Sequence, residues 1–378
     1  MPRVLQVLSS LQTGGGVQVM LKNYYAQLAP LAFQTDFVVC GTERGGLEPW
    51  FEALGAEIHH IPPRSEDPVG NLRALRRILA DGHYDVVHCH QDYHGAAAMA
   101  MARRCGVPVR IIHSHQAYPP ESALKRLRRR IESPLVIRDA TVLAACGELA
   151  GAWLYGQDAV DSGRVVILRN AIDTEAFAFS PEDRLRLRRE LSIPQEAAVI
   201  GHVGRFCEAK NHRLLLDIFA EFHRRRPDSV LLLAGDGPLR PEIEHQADRL
   251  GLGDSLRFLG MRTDVPQLLS AMDLFLLPSR WEGLGIVAVE AQASGLPCVC
   301  SHKVPREVKL TDQLRFLPEE SYTAPAAWCG VMEQALSVGR RDGRDAVCAG
   351  GYDIRRQARR LESLYLHGTL PSQELCCI

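Results

Sequence analysis

The sequence predicts two α/β domains, each built on a doubly wound parallel sheet with helices on both faces. The chain has 378 residues, which is more than one hydrophobic core usually holds. Short apolar runs alternate with amphipathic stretches along the chain, as expected for β–α–β units. This alternation occurs in two series, one from the N-terminus and one from about residue 199. Each series therefore predicts one domain.

The strand-like runs are rich in β-branched residues and are followed by turn-forming residues. In the first series they are VLQVL, TDFVVC, DVVHCH and VRIIHS. Helical patterns lie between them, such as VQVMLKNYYAQLA and GNLRALRRILAD. In the second series the strand-like runs are VIGHVG, SVLLLAGDG, LRFLG, DLFLLPS and PCVCS. Helices between successive strands predict that the strands run parallel.

The domain boundary is predicted at VVILRNAIDTEAF, where an apolar run gives way to a polar, irregular segment. We expect an N-terminal domain over residues 1–170 and a C-terminal domain over residues 171–354. A last helical pattern, at about 355–378, follows the second series. It is free to pack on either domain, including the first.

Composition excludes several functional classes. Formal net charge is −1, which indicates neither nucleic acid nor a strongly acidic partner. No apolar run approaches the ~20 residues of a membrane span, and from the residues MPRVLQVLSS we expect a first strand and not a secretory leader. The 11 cysteines are scattered without paired CxxC motifs, so we expect neither structural zinc nor disulfides. A cytoplasmic protein is the expectation.

Ligands of open α/β sheets bind at the carboxyl ends of the strands, and the first such loop is rich in glycine. The run LQTGGGVQVML places Gly14, Gly15 and Gly16 between the first strand and a helix. Glycines let a ligand approach the backbone, and the free amides of a helix N-terminus suit a phosphate. A simple tight turn is the alternative. The run is neither a dinucleotide fingerprint nor a P-loop.

Basic residues follow the first strand of the second series, in GHVGRFCEAKNH. Arg205 offers a forked set of donors and Lys210 a compact charge, a combination that suits a diphosphate. The alternative is two solvated surface cations. Their place directly after a predicted buried strand favours a functional role.

Two glutamates lie eight positions apart in WEGLGIVAVEAQASG. Counted at 100° per residue, Glu290 lies within about 80° of the direction of Glu282. The residues between them are mostly apolar, so we expect a buried helix and carboxylates that are not solvated. A buried carboxylate needs hydrogen-bond donors, and sugar hydroxyls would supply them.

Five histidines lie at the ends of two neighbouring predicted strands. They are His88, His90, His94, His113 and His115. Such a group could indicate a metal site, but no carboxylates accompany it at ligand spacing. Neutral side chains that donate hydrogen bonds into a polar pocket are the interpretation we favour.

Taken together, these loops resemble the retaining, two-domain glycosyltransferases of family 4, and most of all their exopolysaccharide-synthesis branch. The resemblance is carried by the following motifs, in the family's order: the glycine-rich first loop, LRNAID…F at Arg169–Phe177, the GR…KN loop, AGDGP at Ala234–Pro238, and E-x7-E from Glu282 to Glu290. It covers nearly the whole chain. It implies the GT-B fold, in which two Rossmann-like domains face a central cleft.

The resemblance also implies roles for individual residues. Arg205 and Lys210 would neutralise the diphosphate of a nucleotide-sugar, and Glu290 would accept hydrogen bonds from the ribose hydroxyls. Glu282 would hold the donor sugar together with neighbouring backbone amides. The other residues of the implied donor site are Gly15, Gly16, Gly204, Arg262, Gly283, Leu284 and Gly285.

The histidines are implied to lie on the sugar and acceptor side. Either His113 or His115 would sit by the donor sugar, and the spacing does not settle which. His90 and His94 are expected on the acceptor side. Three positions depart from the family pattern: Gln18 stands where Glu is common, His302 stands where Asp is common, and Glu307 lacks the glycine pair that usually precedes it.

The activity implied by the resemblance is transfer of a sugar from a nucleotide-sugar, with UDP as the family's usual nucleotide. The acceptor would be a glycan, a glycolipid or a small molecule. Anomeric configuration would be retained, with no cofactor and no divalent metal ion. Two alternatives stay open: a sugar-nucleotide epimerase of similar fold, and a non-catalytic nucleotide-sugar-binding module. A nicotinamide dehydrogenase is disfavoured because its fingerprint is missing.

The segment LKRLRRRIESPLV carries a basic cluster at Lys125–Arg130. Basic residues near an anionic membrane surface contribute about 1 kcal/mol each. An enzyme that uses a lipid-linked acceptor could therefore make a peripheral contact with the inner face of the membrane. A solvated helix face is the alternative.

Overall fold

The structure, a computed structural model, describes residues 2–13, 15–28, 33–117 and 122–370. The chain divides into two compact units. The first contains the residues up to 171 together with those from 354 onward, and the second contains residues 172–353. The last helix of the chain thus belongs to the N-terminal unit.

The first domain is a seven-stranded sheet with the order β3-β2-β1-β4-β5-β6-β7, and its strands pair in parallel. The strands are β1 (Arg3–Leu8), β2 (Gln34–Cys40), β3 (Ile58–Ile61), β4 (Val86–Cys89), β5 (Val109–Ser114), β6 (Val142–Ala145) and β7 (Val165–Ile167). The helices are α1 (Gly16–Leu28), α2 (Glu48–Ala53), α3 (Pro68–Gly82), α4 (Ala96–Arg104), α5 (Ala123–Asp139), α6 (Glu148–Tyr155) and α7 (Gln157–Asp161).

The second domain repeats the architecture with six parallel strands in the order β10-β9-β8-β11-β12-β13. The strands are β8 (Ala198–Val203), β9 (Ser229–Ala234), β10 (Leu256–Gly260), β11 (Leu274–Leu277), β12 (Cys298–Ser301) and β13 (Leu314–Leu317). The helices are α8 (Pro181–Glu190), α9 (His212–Arg225), α10 (Arg240–Arg249), α11 (Val265–Ala271), α12 (Ile286–Ala293), α13 (Pro325–Val338) and α14 (Arg344–Ala349).

The chain ends on α15 (Ile354–His367), which completes the core of the first domain. Its apolar side chains join the buried cluster that also contains those of α1, and they are Ile354, Ala358, Leu361, Leu364 and Tyr365. Burial of one such large apolar side chain contributes roughly 1.5–3 kcal/mol. Helix α15 therefore stabilises a domain whose other elements lie almost 200 residues earlier in the sequence.

The predicted fold class is confirmed by these two parallel sheets. Every strand-like run identified in the sequence forms a strand, and LRFLG coincides with β10. Strands β3, β6, β7 and β13 were not predicted as strands. Among the described residues, no helix combines the length and the apolar character needed to cross a membrane.

Two backbone loops pack closely at the ends of β8 and β9. The Gly204 amide donates to the Ala234 carbonyl at 2.9 Å, and Phe206 donates to Asp236 at the same distance. Gly235 has a φ of +136°, and a Cβ on it would lie 2.1 Å from the Gly204 carbonyl oxygen. Only glycine fits there, so Gly235 sets the position of the loop that carries Arg205.

We expect Gly235→Ala to destabilise the protein by more than about 1 kcal/mol, because the methyl group combines an unfavourable φ with a backbone clash. Gly330→Ala is the matched control: a Cβ on Gly330 meets nothing within 4 Å. Since Gly330 lies inside α13, this control should stabilise the protein by about 0.5–1 kcal/mol. Urea unfolding of both variants checks the prediction, and equal stabilities would contradict it.

Candidate active site

Most of the predicted site residues follow the strands at the topological switch point of each sheet. The exceptions are His113 and His115, at the end of β5, and Arg262, after β10. In the first sheet the strand order reverses between β1 and β4, and in the second between β8 and β11. Such switch points form the ligand-binding crevice of open α/β sheets. The loop of Gly15 follows β1, and that of Arg205 follows β8. Glu282 lies in the loop between β11 and α12.

In the second domain, Lys210 and Glu282 form an ion pair. The Lys210 ammonium lies 2.6 Å from Oε1 of Glu282, and both side chains are largely buried. The same oxygen accepts a hydrogen bond from Ser279 at 2.6 Å. Ser279 is itself held by Ser301, whose hydroxyl donates to the Ser279 carbonyl at 2.6 Å. Hydrogen bonds from Ser279 and Ser301, at the ends of β11 and β12, thus hold the ion pair in place relative to the sheet.

The Arg205 guanidinium lies in the neighbouring loop and is exposed. It makes no ion pair within the part of the chain that the structure describes. Gly204 lies against the stem of Lys210, since a Cβ on that glycine would lie 3.3 Å from Cδ and Cε of the lysine. The structure therefore places one unpaired and one paired cation beside each other at the end of β8.

Glu282 lies in the loop before α12, not on the helix. The helix begins at Ile286, after Gly285 with a φ of +84°. The predicted angle of about 80° between the two glutamates is therefore wrong, because it assumed one continuous helical phase. The buried helix itself is confirmed: all of its residues from Val287 to Ala293 are buried.

Glu290 is buried within α12, and 8 % of its surface is exposed. Its carboxylate has no hydrogen-bond partner among the described residues. Burial raises its pKa to about 7, and the Lys210 ammonium partly offsets that shift. A buried carboxylate without donors is costly. The position is thus suited to a ligand that brings hydrogen-bond donors of its own.

Backbone amides at the start of α12 are also available. Within the described ranges, the N–H groups of Gly283, Leu284, Gly285 and Ile286 find no acceptor. The amides of Gly285 and Ile286 are among those that a helix N-terminus leaves free, and those of Gly283 and Leu284 lie in the preceding loop. Together they favour an oxygen-rich or anionic ligand. Glu282 lies next to them in the chain, so carboxylate and amides together offer both kinds of hydrogen-bonding group.

Arg262, predicted at the donor site, follows the edge strand β10. Its guanidinium makes a two-point contact with the Asp264 carboxylate, at 2.8 and 2.6 Å. No contact among the described residues joins it to Arg205, Lys210 or Glu282. Its donor role stays a prediction without support from this geometry.

In the first domain, the glycine loop lies between β1 and α1 as expected, and Gly16 is the first residue of the helix. The Gln18 side chain folds back to donate to the Ser10 carbonyl at 2.9 Å. A Cβ on Gly15 would lie 1.9 Å from Oε1 of Gln18. Gln18 is therefore part of the loop structure. Gly14 lies outside the described residues.

Four of the five predicted histidines come together at the ends of β4 and β5. Nε2 of His88 lies 3.1 Å from Nδ1 of His113, and Nδ1 of His90 lies 2.9 Å from Nε2 of His115. Burial lowers the pKa of all four, that of His115 to about 3. They are therefore neutral at physiological pH. His94 is not in this group and lies 3.8 Å from Glu132.

Three nitrogens of this group are close enough to hold a metal ion, since atoms of His88, His90 and His113 lie within 4.8 Å of one another. Hydrogen bonds already engage both nitrogens of His88 and of His90, and Nδ1 of His113. A metal ion would have to displace some of them. Asp36, Glu57 and His59 form a second such group elsewhere in the domain.

Four polar residues near these sites had not been predicted. Gln6 and Tyr365 hydrogen-bond to His90 and His88, Ser279 holds Glu282, and Asp92 accepts from the His115 amide at 2.9 Å. Burial raises the pKa of Asp92 to about 7, and its φ of +49° is unusual for a residue other than glycine. The only signal for Tyr365 in the sequence is the helical pattern of the segment that contains it.

Comparison with known proteins identifies the family. Residues 15–171 match the family model "Glycosyl transferase 4-like domain", and residues 183–313 match "Glycosyl transferases group 1". The protein "Putative glycosyltransferase EpsF" of Bacillus subtilis (strain 168) is 33 % identical over 371 residues, which are 96 % of each chain. An Escherichia coli enzyme named UDP-Gal:alpha-D-GlcNAc-diphosphoundecaprenol alpha-1,3-galactosyltransferase is 30 % identical over 244 residues, 61 % of each chain.

Solved structures agree on the fold. Anabaena HepE in complex with UDP and glucose matches with a TM-score of 0.79 at 19 % identity, covering 97 % of this chain and 100 % of HepE. WaaG, a glycosyltransferase involved in lipopolysaccharide biosynthesis, matches with a TM-score of 0.67 at 17 % identity, covering 97 % and 98 %. The family matches and the nearly full-length similarity to EpsF show that this chain belongs to the group 1 glycosyltransferases, with their GT-B fold, and transfers a sugar from a nucleotide-sugar.

Proposed function

We propose that the protein transfers a sugar from a UDP-sugar to the hydroxyl of a glycan, a glycolipid or a small molecule. We further propose that it retains the anomeric configuration and works without a divalent metal ion or other cofactor. The observation that carries the proposal is the arrangement at the second switch point: the Lys210–Glu282 pair, the exposed Arg205 and the buried Glu290.

The two cations suit a departing nucleoside diphosphate. As the bond to the sugar breaks, negative charge grows on the β-phosphate oxygen. Lys210 is already held at a fixed place by Glu282 at 2.6 Å, so little reorganisation is needed when that charge develops. Arg205 adds a forked donor that matches phosphate oxygens. These two side chains would supply the charge neutralisation that Mg²⁺ supplies in other sugar transferases.

The carboxylates suit the hydroxyl groups of the donor. Glu290 is buried and lacks donors, so two ribose hydroxyls would satisfy it. Glu282 and the free amides before α12 would bind the transferred sugar. Because Glu282 is engaged by Lys210 and Ser279 on one oxygen, we assign it a binding role and not that of a covalent nucleophile. Retention would then follow a same-face route in which the departing phosphate helps to deprotonate the acceptor.

UDP is supported by what similar proteins bind. HepE has been crystallised with UDP and with UDP-glucose, and the E. coli relative is named as a UDP-Gal transferase. The acceptor would be bound by the first domain, where His90, His113 and His115 offer neutral hydrogen-bonding groups. His94 is partly exposed beside α5 and could contact a larger acceptor.

Helix α5 has the properties of a membrane-surface helix. An apolar stripe is exposed along one side, at Leu124, Leu127, Ile131 and Leu135, with exposed fractions of 38–76 %. Exposed basic residues flank this stripe at Lys125, Arg126, Arg128 and Arg130. A basic helix with an apolar stripe binds anionic membrane surfaces. We propose that α5 brings the enzyme to a membrane that carries a lipid-linked acceptor.

Arg129 is an exception within the predicted segment Lys125–Arg130. Its guanidinium lies 5.2 Å from the centre of the Trp153 ring and donates to the Trp153 carbonyl at 3.2 Å. It therefore packs on α6 and is not one of the freely exposed cations. A test of membrane binding should leave Arg129 in place.

The first prediction from the proposed function concerns the donor. Purified protein with EDTA should release nucleoside diphosphate from one of a panel of UDP-, GDP- and ADP-sugars in the presence of acceptor extract. Lys210→Ala and Glu282→Ala should each lower that rate at least about 100-fold, since preorganised charge contributes on that scale. Lys309→Ala, an exposed lysine of the same domain, is the control and should leave the rate unchanged.

Three outcomes would contradict parts of the proposal. Release that requires added Mg²⁺ would contradict metal independence. Interconversion of the donor without acceptor would indicate an epimerase, and tight binding without turnover would indicate a binding module. The anomeric configuration of the product, read by NMR, checks retention separately.

The second prediction concerns Glu290. Its folded pKa of about 7 lies above the ordinary 4.5, so ionisation costs folding stability as pH rises from about 4.5 to about 7. Glu290→Gln cannot ionise and should be more stable than wild type at pH 8, by at most about 3 kcal/mol, but not at pH 4.5. It should also raise the KM for the donor roughly 10-fold, since a hydrogen bond to a charged group is lost.

Urea unfolding between pH 4.5 and pH 8 measures this difference. The exposed Glu182→Gln is the control, with no expected dependence on pH. A stability difference between Glu290→Gln and wild type that stays constant across the range would show that Glu290 is solvated and would remove the argument for its role.

The third prediction concerns α5. Replacement of Lys125, Arg126 and Arg130 by Glu should abolish co-sedimentation with vesicles that contain phosphatidylglycerol, because about 1 kcal/mol is lost for each basic residue. The same charge change at the exposed Arg73, Arg76 and Arg77 of α3 is the control. Leu127→Ser should weaken binding without altering charge. If both triple variants bind equally, α5 is not the membrane contact.

A further inference from the structure

The buried histidines of the first domain belong to one continuous hydrogen-bonded chain. The Gln6 amide nitrogen donates to the Tyr365 hydroxyl at 2.8 Å, and that hydroxyl lies 2.9 Å from Nδ1 of His88. His88 continues the chain to His113 at 3.1 Å. On its other side, the Gln6 carbonyl oxygen lies 2.8 Å from Nε2 of His90. His90 continues it to His115 at 2.9 Å.

The Gln6 amide gives this chain a direction. Its nitrogen can only donate and its oxygen can only accept. The Tyr365 hydroxyl accepts a hydrogen bond from the Gln6 amide, so its own O–H group donates a hydrogen bond to Nδ1 of His88. A neutral imidazole has one donor and one acceptor, so His88 donates through Nε2 to Nδ1 of His113. His113 is then left with an Nε2–H group.

The same reasoning assigns the protons on the other branch, which runs from Gln6 through His90 to His115. The Gln6 oxygen accepts from Nε2–H of His90, so Nδ1 of His90 must accept from Nε2–H of His115. His115 is then left with a bare Nδ1. The chain therefore ends in one donor, on His113, and one acceptor, on His115.

The two ends are buried and have no partner. Nε2 of His113 and Nδ1 of His115 find no hydrogen-bond partner among the described residues. Both residues lie on the same side of one strand end, with their ring centres 4.0 Å apart. Buried polar atoms are rarely left unsatisfied in native proteins. A donor and an acceptor side by side match a group that has one of each.

We propose that Gln6 and Tyr365 are positioning residues, which hold His113 as a hydrogen-bond donor and His115 as an acceptor, and that this pair binds one hydroxyl oxygen. A hydroxyl can accept from His113 and donate to His115 at the same time. A carboxylate would find no donor at His115, and an ammonium would find no acceptor at His113. The assignment rests on the proposed sugar transfer only for the source of the hydroxyl, which is a sugar or a bound water.

The side of the hydrogen-bonded chain that faces α1 and α15 has no room for a sugar. An internal cavity of about 10 Å³ lies there, lined by Gln6, His88, His90 and Tyr365 with apolar side chains of α1 and α15. Such a volume holds about one water molecule. Nε2 of His113 and Nδ1 of His115, the two ends without a partner, are therefore the points at which the hydrogen-bonded chain can take on a further group. Burial also lowers the pKa of the four imidazoles, which keeps the donor–acceptor pattern intact near neutral pH.

The test is ¹⁵N NMR of the full-length protein labelled at histidine, at pH 7.5, because protonated and bare imidazole nitrogens resonate far apart. All four imidazoles should carry their proton on Nε2. Four protons on Nδ1, or a mixture, would overturn the direction of the chain. Signals are assigned with single His→Gln variants. This measurement does not depend on catalytic activity, so it tests the direction of the hydrogen bonds independently of the proposed sugar transfer.

Tyr365→Phe tests the positioning role. Loss of the hydroxyl should free His88 and His113 to populate both tautomers, while His90 and His115 stay on Nε2. Tyr24→Phe is the control, since Tyr24 is equally buried but donates to the Arg169 carbonyl at 2.7 Å. Unchanged His88 and His113 signals in Tyr365→Phe would overturn the role of Tyr365.

Ligand titration identifies the source of the hydroxyl. A sugar hydroxyl should shift the His113 and His115 signals when UDP-glucose, UDP-galactose or a methyl glycoside is added, but not with UDP alone. A bound water should leave them unchanged with each sugar and show a water contact to both rings. Shifts caused equally by UDP alone and by inorganic pyrophosphate would indicate that the pair binds phosphate, and would overturn the proposal.

Discussion

The structure depends on one constraint, the position of the first strand of each domain in the middle of its sheet. The chain leaves β1 toward β2 and β3 and then returns to place β4 on the other side, and it does the same around β8. At each reversal, two strand-end loops diverge and leave their backbone and side chains uncovered. Gly15, Arg205 and Glu282 lie in such loops. The other helices and strands of each domain support the loops at these reversals.

The two domains share the same strand order around their switch points, but the side chains at the two switch points differ in chemistry. The second has formal charges, with Lys210 2.6 Å from Glu282 and a further carboxylate buried in α12. The first has neutral imidazoles joined through an amide and a hydroxyl. Fixed charge suits a diphosphate, whose own charge grows during reaction. Neutral groups that discriminate donors from acceptors suit hydroxyls, because a mismatched hydroxyl leaves a buried group unpaired.

Local patterns in the sequence were enough to predict the two sheets and most of their strands, because periodicity and turn residues act over a few positions. The missed strands are those where this signal is weak. Strands β3 and β13 are short edge strands with polar residues, IHHI and LRFL, β6 contains two alanines, and β7 has only three residues. The geometry between Glu282 and Glu290 was missed for another reason. Gly285, at φ +84°, resets the chain direction between them, and spacing alone cannot show this.

The least predictable part of the site is the one that joins distant residues. Gln6 and Tyr365 are 359 positions apart yet hydrogen-bonded, and a polar residue on an amphipathic helix carries no mark of its partner. The helix α15 contributes both Tyr365 to the histidine chain and Leu361 and Leu364 to the core. Packing of the leucines fixes where the hydroxyl lies, and the hydroxyl fixes where the protons of His88 and His113 lie. Core packing and hydrogen-bond polarity in the first domain are therefore set by the same helix.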